Sequence, residues 1–351
     1  MPATILATGV ALPECRLTNA ALEARGDTSD AWIVERTGIR ERRIAAPSET
    51  TASLAIAAGA DAMKHAGLTP DDVDLLIVAT STPEQPMPHT GAFVGDGLGL
   101  RCGSFDLSAA CAGFVYALVT GAGLLALGGV RHVLVIGAET MSRIVDPNDR
   151  ATNVLFGDAA GAVVLGSTAD GSGGVLAWDL GCDGSAASLL EVPAGGSRLP
   201  ASRGTVDGGS HFLRMAGQEV FRRAVRVIVE SASTTLARGD VTADDVDWFV
   251  PHQANARIIE AAASRLGIGT DRTIVNIDRY GNTSGASIPL ALHEAADDGR
   301  LRAGDLLLLS GFGAGMTWAS ALLRWSERGE AGIPPSSERG PAARRRRRQE
   351  R

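Results

Sequence analysis

Aromatic side chains are scarce in this chain, at 4% of 351 residues, and positive charge is in deficit. The 33 Lys and Arg against 40 Asp and Glu leave a net charge of -7. That balance argues against a general nucleic-acid binder, although a local basic patch can still receive an acidic partner. Cysteine is also sparse. The four present, Cys15, Cys102, Cys111 and Cys182, have neither a CxxC spacing nor the density of a disulfide scaffold, which points to a reduced cytoplasmic enzyme with no structural metal. No basic segment precedes an apolar run near the start, where Pro13 and Glu14 intervene, so no signal peptide is expected. Apolar runs such as 133–138 fall well short of the ~20 residues that a membrane span needs, and no membrane association is expected.

What is present describes an enzyme-sized globular chain. Hydrophobic residues make up 45% and charged residues 21%, and 43 glycines indicate many tight turns and close backbone contacts. Length alone suggests roughly two domains. The most informative stretch runs from Phe105 through Cys111 to Leu118: a strand-like segment, a turn of small residues, then a helix that is apolar on every face and therefore buried. Cys111 falls in its first turn, where free N–H groups and the helix dipole favour a thiolate. A small buried cysteine is the plainer alternative.

Elsewhere the pattern predicts an opening strand at 3–11, a helix at 51–67, short buried strands at 75–80 and 133–137, and a Pro-rich loop at 81–90. Residues 32–44 read WIVERTGIRERRI, where Arg36, Arg40, Arg42 and Arg43 surround Trp32 and suit either a nucleotide's phosphates and base or a solvated charged face. The Gly, Ser and Pro of 171–209 read as a connection.

An internal repeat reorganises this picture. Thr69-Pro-Asp-Asp-Val-Asp74 recurs as Thr242-Ala-Asp-Asp-Val-Asp247, 173 residues on, and the strand at 133–136 meets 306–309 in the same register. That register sets Cys111 against Ser284. Two α/β halves related by a pseudo-two-fold would bring the two helix starts together, so that Cys111 faces Asn282. The strand ending at Pro251 delivers His252 to the same place. Taken singly, His252 reads as a satisfied loop histidine and Asn282 as a turn or capping residue.

The motifs FDLSAACAGFVYAL, DRATNVLFGDAAGAVVL, MAGQEVF, VPHQAN, RYGNTSGASIP and GFGAGMTWASALLRW, with WIVERTGIRERRI, closely resemble the β-ketoacyl-acyl-carrier-protein synthase III family from Ile5 to Trp325. The resemblance implies a thiolase-like α/β fold of two duplicated halves layered α-β-α-β-α. One half spans 1–170 and holds Cys111, 171–209 connects, the other spans 210–326 and holds His252 and Asn282, and 327–351 forms a disordered basic tail. It implies a decarboxylative condensation of a short acyl-CoA with malonyl-acyl-carrier-protein through an acyl-Cys111 intermediate, with His252 and Asn282 as the decarboxylation pair. Backbone N–H groups of Cys111 and Ala314 would form the oxyanion hole, provided Ala314 needs no glycine-type backbone.

Trp32, Arg36, Arg150 and Asn255 would contact CoA. Arg214 together with Gln253, Ala254, Asn255, Ala256 and Arg257 would dock the carrier protein, although ordinary surface charge would also account for Arg214 and Arg257. Met87 and Phe312 would shape the acyl pocket, Met87 across the interface of a homodimer. No cofactor is implied, since acyl-CoA is a substrate. A starter-unit synthase or acyltransferase of a polyketide or other natural-product pathway is the alternative, and an inactive partner subunit a more remote one. A thiolase would need a second cysteine in the C-terminal catalytic loop, and all four cysteines precede Asp183.

Overall fold

The computed structural model describes residues 3–167 and 173–326. Its first half is a five-stranded sheet of β1 (Ala3–Ala11), β2 (Leu75–Ala79), β3 (Gly103–Leu107), β4 (Val133–Thr140) and β5 (Asp158–Ser167), ordered β1-β5-β4-β2-β3. Strands β4, β2 and β3 run parallel, β5 runs antiparallel to β4, and β1 pairs antiparallel with β5, restoring the first direction. The second half is a four-stranded sheet of β6 (Gly174–Cys182), β7 (Trp248–Pro251), β8 (Leu306–Gly313) and β9 (Thr317–Arg324), ordered β7-β8-β9-β6. Strand β7 is parallel to β8, and β9 and β6 are antiparallel. The order and sense of β2-β4-β5-β1 are therefore repeated by β7-β8-β9-β6, as the 173-residue register predicts. Only the edge differs. The counterpart of β3 is reduced to a single bridge between Phe249 and Thr273.

Helices α1 (Asp30–Thr37), α2 (Thr51–Ala66), α3 (Gly113–Leu127), α4 (Gly217–Arg238), α5 (Ala256–Leu266) and α6 (Ser287–Asp297) complete the layers. Helix α2 packs on the outer face of the first sheet, and α4 and α5 on the outer face of the second. Between the sheets lie α3 and α6, whose Phe114, Leu118, Ile288 and Leu292 share one core with Val135 of β4 and Leu309 of β8. Sheets covered on both faces explain why β4 is buried along its whole length and reads as a continuous apolar run. The repeated TxDD motif does the same work twice: Asp72 accepts the N–H of Thr69 at 2.9 Å and Asp245 that of Thr242 at 2.8 Å, closing the two turns that feed β2 and β7.

Three expectations need correction. The 171–209 segment is not merely a connection, because its start is β6, an edge strand of the second sheet whose register along β9 runs from Arg324 to Thr317. Glycine and serine composition masked a strand that needs only one packed face. The search for apolar runs overlooked Ala110–Leu127, which is long and apolar enough to cross a membrane; here it is the central core helix, with Phe114, Val115, Ala117 and Leu118 fully buried. Arg42 does not face a ligand. It is wholly buried and donates to the Leu17 carbonyl, Asn19 Oδ1 and the Val154 carbonyl. Burial lowers its pKa to about 10, so it stays charged at neutral pH and ties the 16–18 and 41–43 ribbon to the first half. The predicted basic tail at 327–351 lies outside the described residues.

The halves meet at glycine. A Cβ at Gly137 of β4 would stand 2.2 Å from the Gly285 carbonyl oxygen, at the turn that starts α6. Gly137→Ala is expected to cost at least ~1–3 kcal/mol, the range for overpacking against backbone that cannot retreat. Urea denaturation with an unchanged m value and a lowered midpoint checks it.

Candidate active site

Cys111 sits at the junction where β3 gives way to α3. The chain reverses at Ala110, which takes the left-handed φ of 48°, and Cys111 follows, 7% exposed. Its counterpart turn reverses at Ser284, φ 47°, before α6. The two turns match residue for residue when Ala110 is set on Ser284, so the repeat gains one residue here and Cys111 corresponds to Gly285, not to Ser284 as the sequence register implied. Ser284 instead touches it: Cys111 Sγ donates to Ser284 Oγ at 3.3 Å, and Ser284 Oγ donates to Glu139 Oε1 at 2.9 Å.

The expectation of a standing thiolate is also corrected. Burial pushes the Cys111 thiol up to about 12; the nearby Glu139 carboxylate adds to that, outweighing the Ser284 and backbone hydrogen bonds that favour the anion. The free enzyme holds a thiol.

His252 follows β7, whose pairing with β8 is continued by its N–H donating to the Ser310 carbonyl at 2.8 Å. The ring is 1% exposed, and its Nδ1 lies 2.6 Å from Ser287 Oγ. Ser287 Oγ also accepts the Gln253 N–H, and with its own proton given to Nδ1 the imidazole hydrogen would sit on Nε2. Burial lowers the His252 pKa to about 3, so the ring is neutral at working pH. Asn282 is 6% exposed and pinned by its backbone, its N–H donating to Leu155 and its carbonyl accepting from Gly157. Its Oδ1 accepts the Ser284 N–H at 2.8 Å, which turns the amide NH2 into the free end of the side chain. His252 and Asn282 thus offer uncharged donors, the equipment for stabilising a developing oxyanion.

Cys111, His252 and Asn282 line one pocket of about 550 Å³ including its open mouth. Phe312 and Gly313 complete the wall beside them, with Phe312 packed edge-on to His252 at 5.8 Å between ring centroids. A Cβ at Gly313 would lie 2.5 Å from the Cys111 nitrogen, so the 313–315 loop abuts the Cys111 backbone. In that loop the left-handed positions are Gly315, φ 75°, and Met316, φ 45°; Ala314 carries no such requirement and suits its position. The pocket wall continues through Met215, Phe221 and Ile258 to Asn255, and Asn255 Nδ2 donates to the Arg36 carbonyl at 3.0 Å. Arg36 and Arg150 both lie over the Trp32 ring, at 5.0 and 4.7 Å from its centroid.

The carrier-docking segment is corrected in part. Gln253 is 1% exposed, its amide spent on the Pro251 and Ile274 carbonyls and the Asn276 N–H, and Ala254 is a buried pocket wall. Neither can meet a partner surface. Asn255 caps α5 through the Arg257 N–H, Ala256 begins that helix half-buried, and Arg257 and Arg214 are exposed, with no ion pair to any described residue. Met87 is 83% exposed and outside this chain's own pocket. Sequence reasoning missed Ser287 and Glu139, and gave Ser284 only as the counterpart of Cys111 and not as its hydrogen-bond partner. The two serines lie inside the quoted GNTSGASIP motif, but nothing in linear spacing pairs Ser287 with His252 or Glu139 with Ser284.

A buried cysteine at a core helix start, sharing one pocket with uncharged His and Asn side chains carried by a duplicated half, is the arrangement of an acyl-transferring enzyme of the thiolase-like class. Family models described as 3-oxoacyl-[acyl-carrier-protein] synthase III and its C-terminal region match residues 105–184 and 236–325. The β-ketoacyl-[acyl-carrier-protein] synthase III of Symbiobacterium thermophilum is 51% identical over 325 residues, covering 92% of this chain and 98% of that protein. Among solved structures, the Aquifex aeolicus 3-oxoacyl-[acyl-carrier-protein] synthase III is 44% identical with a TM-score of 0.85, covering 92% of this chain and all of that one. The priming β-ketosynthase of the R1128 polyketide pathway is 36% identical with a TM-score of 0.86, over 93% and 97%. The chain belongs to the β-ketoacyl-acyl-carrier-protein synthase III family.

The neutral, buried His252 has a consequence for stability. Its folded pKa lies below the unfolded value of ~6.5, so the unfolded chain takes up a proton that the native state refuses as pH falls from there towards 3. Wild-type stability is expected to decline more steeply than that of His252→Gln across this window. Urea midpoints at neutral and mildly acidic pH make the comparison.

Proposed function

We propose that the protein condenses a short acyl-CoA with malonyl-acyl-carrier-protein to give 3-oxoacyl-acyl-carrier-protein, CoA and carbon dioxide, the step that starts fatty-acid synthesis. The observation that carries this reading is the single pocket holding Cys111 from one half with His252 and Asn282 from the other. The Cys111 sulfur attacks the acyl-CoA thioester, forms the acyl-enzyme and releases CoA, dividing one difficult condensation into two displacements. The tetrahedral oxyanion points to the N–H groups of Cys111 and Ala314. Malonyl-acyl-carrier-protein then enters the emptied channel. His252 Nε2–H and the Asn282 amide hold the malonyl thioester oxygen as carbon dioxide leaves and negative charge develops there, and the resulting carbanion attacks acyl-Cys111. Simple acyl transfer needs no such pair, which favours condensation.

In the CoA channel, Trp32 and Arg150 take the adenine between them; the Arg150 guanidinium lies over the Trp32 ring, 4.7 Å from its centroid, and swings away to admit the base. Arg36 sits at the phosphates and Asn255 along the pantetheine arm. The arm passes Met215, Phe221 and Ile258, apolar walls suited to an uncharged chain. Arg214 and Arg257, cationic on a chain of net charge -7, guide the acidic carrier protein to the mouth. Homodimerisation is supported by β3, whose outer edge has no partner strand among the described residues, and by Met87, which would supply the end of the partner's acyl pocket. No cofactor is required. The four unpaired cysteines fit a cytoplasmic setting.

Intact-mass measurements with a panel of short acyl-CoAs test the scheme. Wild-type protein is expected to gain one acyl group and discharge it on malonyl-acyl-carrier-protein; Cys111→Ala should gain none. His252→Ala should acylate but lose condensation by about 10²–10³-fold, the usual cost of an oxyanion donor. Discharge to an amine or alcohol instead would make this a tailoring acyltransferase. For the carrier surface, Arg257→Glu should lower kcat/KM for malonyl-acyl-carrier-protein with acylation from CoA unchanged, and the loss should shrink as salt is raised.

A further inference from the structure

The acyl-enzyme reading leaves one proton without an address. A thiol raised to about 12 must shed it as the acyl group arrives, yet no hydrogen bond joins Cys111 to His252 among the described residues, and burial disfavours a charged imidazole. The hydrogen bond that Cys111 does make leads the other way, through Ser284 Oγ at 3.3 Å to Glu139 Oε1 at 2.9 Å.

Glu139 is a carboxyl group that the family chemistry above does not use. It lies in β4, wholly buried, with no described cation paired to it. Its oxygens accept from the Ser81 and Gly285 N–H groups and the hydroxyls of Thr80, Thr82 and Ser284. These donors support the ionised form, whereas burial raises its pKa. The three hydroxyls can also reverse and accept, so the same shell accommodates a protonated carboxyl. Of the titratable side chains on the elements packed around it, Cys111 is the one its hydrogen bonds reach. The others point elsewhere: Asp61 and His65 of α2 bind β1, Tyr116 of α3 binds Gly181, Asp158 of β5 binds Ser142, and His293 and Glu294 of α6 bind Thr8 and Arg279; Lys64 of α2 is exposed.

We propose that Glu139, a positioning residue acting through Ser284, stores the Cys111 proton for the lifetime of the acyl-enzyme. On acylation the sulfur–carbon bond to Cys111 forms and the bond to CoA breaks, its electron pair leaving with the CoA thiolate, which takes a proton from solvent. The Cys111 proton passes to Ser284 Oγ as the Ser284 proton passes to Glu139. On condensation the malonyl group loses carbon dioxide, its carbanion displaces the Cys111 sulfur, and that sulfur recovers a proton from Ser284 and Ser284 from Glu139. The negative charge of the malonyl carboxylate thus ends on Glu139, and atoms and charge balance.

This inference rests on the acyl-enzyme reading, and its test separates the two. Single-turnover acylation by acetyl-CoA is followed by rapid quench and intact mass across the neutral range, alongside alkylation of Cys111 by iodoacetamide, which needs no CoA. In Glu139→Gln and in Ser284→Ala, acylation at neutral pH should slow by about 100-fold and rise roughly tenfold per pH unit, because solvent hydroxide must now take the proton. The double variant should be no slower than either single one, and Glu139→Asp should partly restore the wild-type profile. Where Glu139→Gln fails to fold, Ser284→Ala carries the same prediction with the carboxyl in place. Single variants that keep the wild-type pH profile, or losses that multiply in the double variant, overturn the relay. Wild-type protein that is alkylated with the relay profile but takes no acyl group from CoA would refute the substrate reading alone.

Discussion

The architecture depends on the near-contact of a strand and a backbone turn at the centre of the molecule. Gly137 of β4 and Gly285 ahead of α6 approach so closely that no side chain fits between them. Around that contact the starts of α3 and α6 converge, and Glu139, two residues further along β4, accepts hydrogen bonds from the 80–82 segment and the 284–285 turn. The Glu139 carboxyl joins loops from both halves without occupying the space that their backbones need. Displacing either turn would move Cys111 relative to Asn282, because Ser284 is bonded to both.

Duplication explains why the reaction site is central, and the departures from symmetry explain what it does. Both turns begin with a residue in the left-handed region, Ala110 or Ser284, a conformation that aims the following helix start inwards. One turn then presents Cys111. Its counterpart presents Gly285, and the half contributes instead through Asn282 just before the turn and His252 at the end of β7. The second half has also reduced its fifth strand to one bridge, while the first keeps β3 as an exposed edge.

The electrostatics divide cleanly between interior and rim. Inside, burial holds the thiol and the imidazole uncharged, while the charges that are buried, Glu139 and Arg42, are each met by several hydrogen bonds. At the surface, Arg36, Arg150, Arg214 and Arg257 are exposed, and Arg36, Arg150 and Arg257 lie over aromatic rings. The pocket that holds Cys111 runs past Met215, Phe221 and Ile258 to Asn255. That arrangement suits substrates with an anionic handle and an uncharged reactive arm.

By itself, the sequence determined the duplication, the buried helix after Cys111, and the likeness of its motifs to one family, because TxDD turns, apolar strands and an all-round apolar helix are local patterns. It misjudged β6, whose Gly-rich composition hides a strand needing one packed face, and Arg42, whose charge gave no sign of burial. Tertiary structure alone decided the one-residue shift that sets Cys111 on Gly285, the bonds from Ser287 to His252 and from Glu139 through Ser284 to Cys111, and the thiol's protonation. Those depend on separations of a few ångströms between segments far apart in the chain and on the water excluded when they close, which no linear spacing encodes.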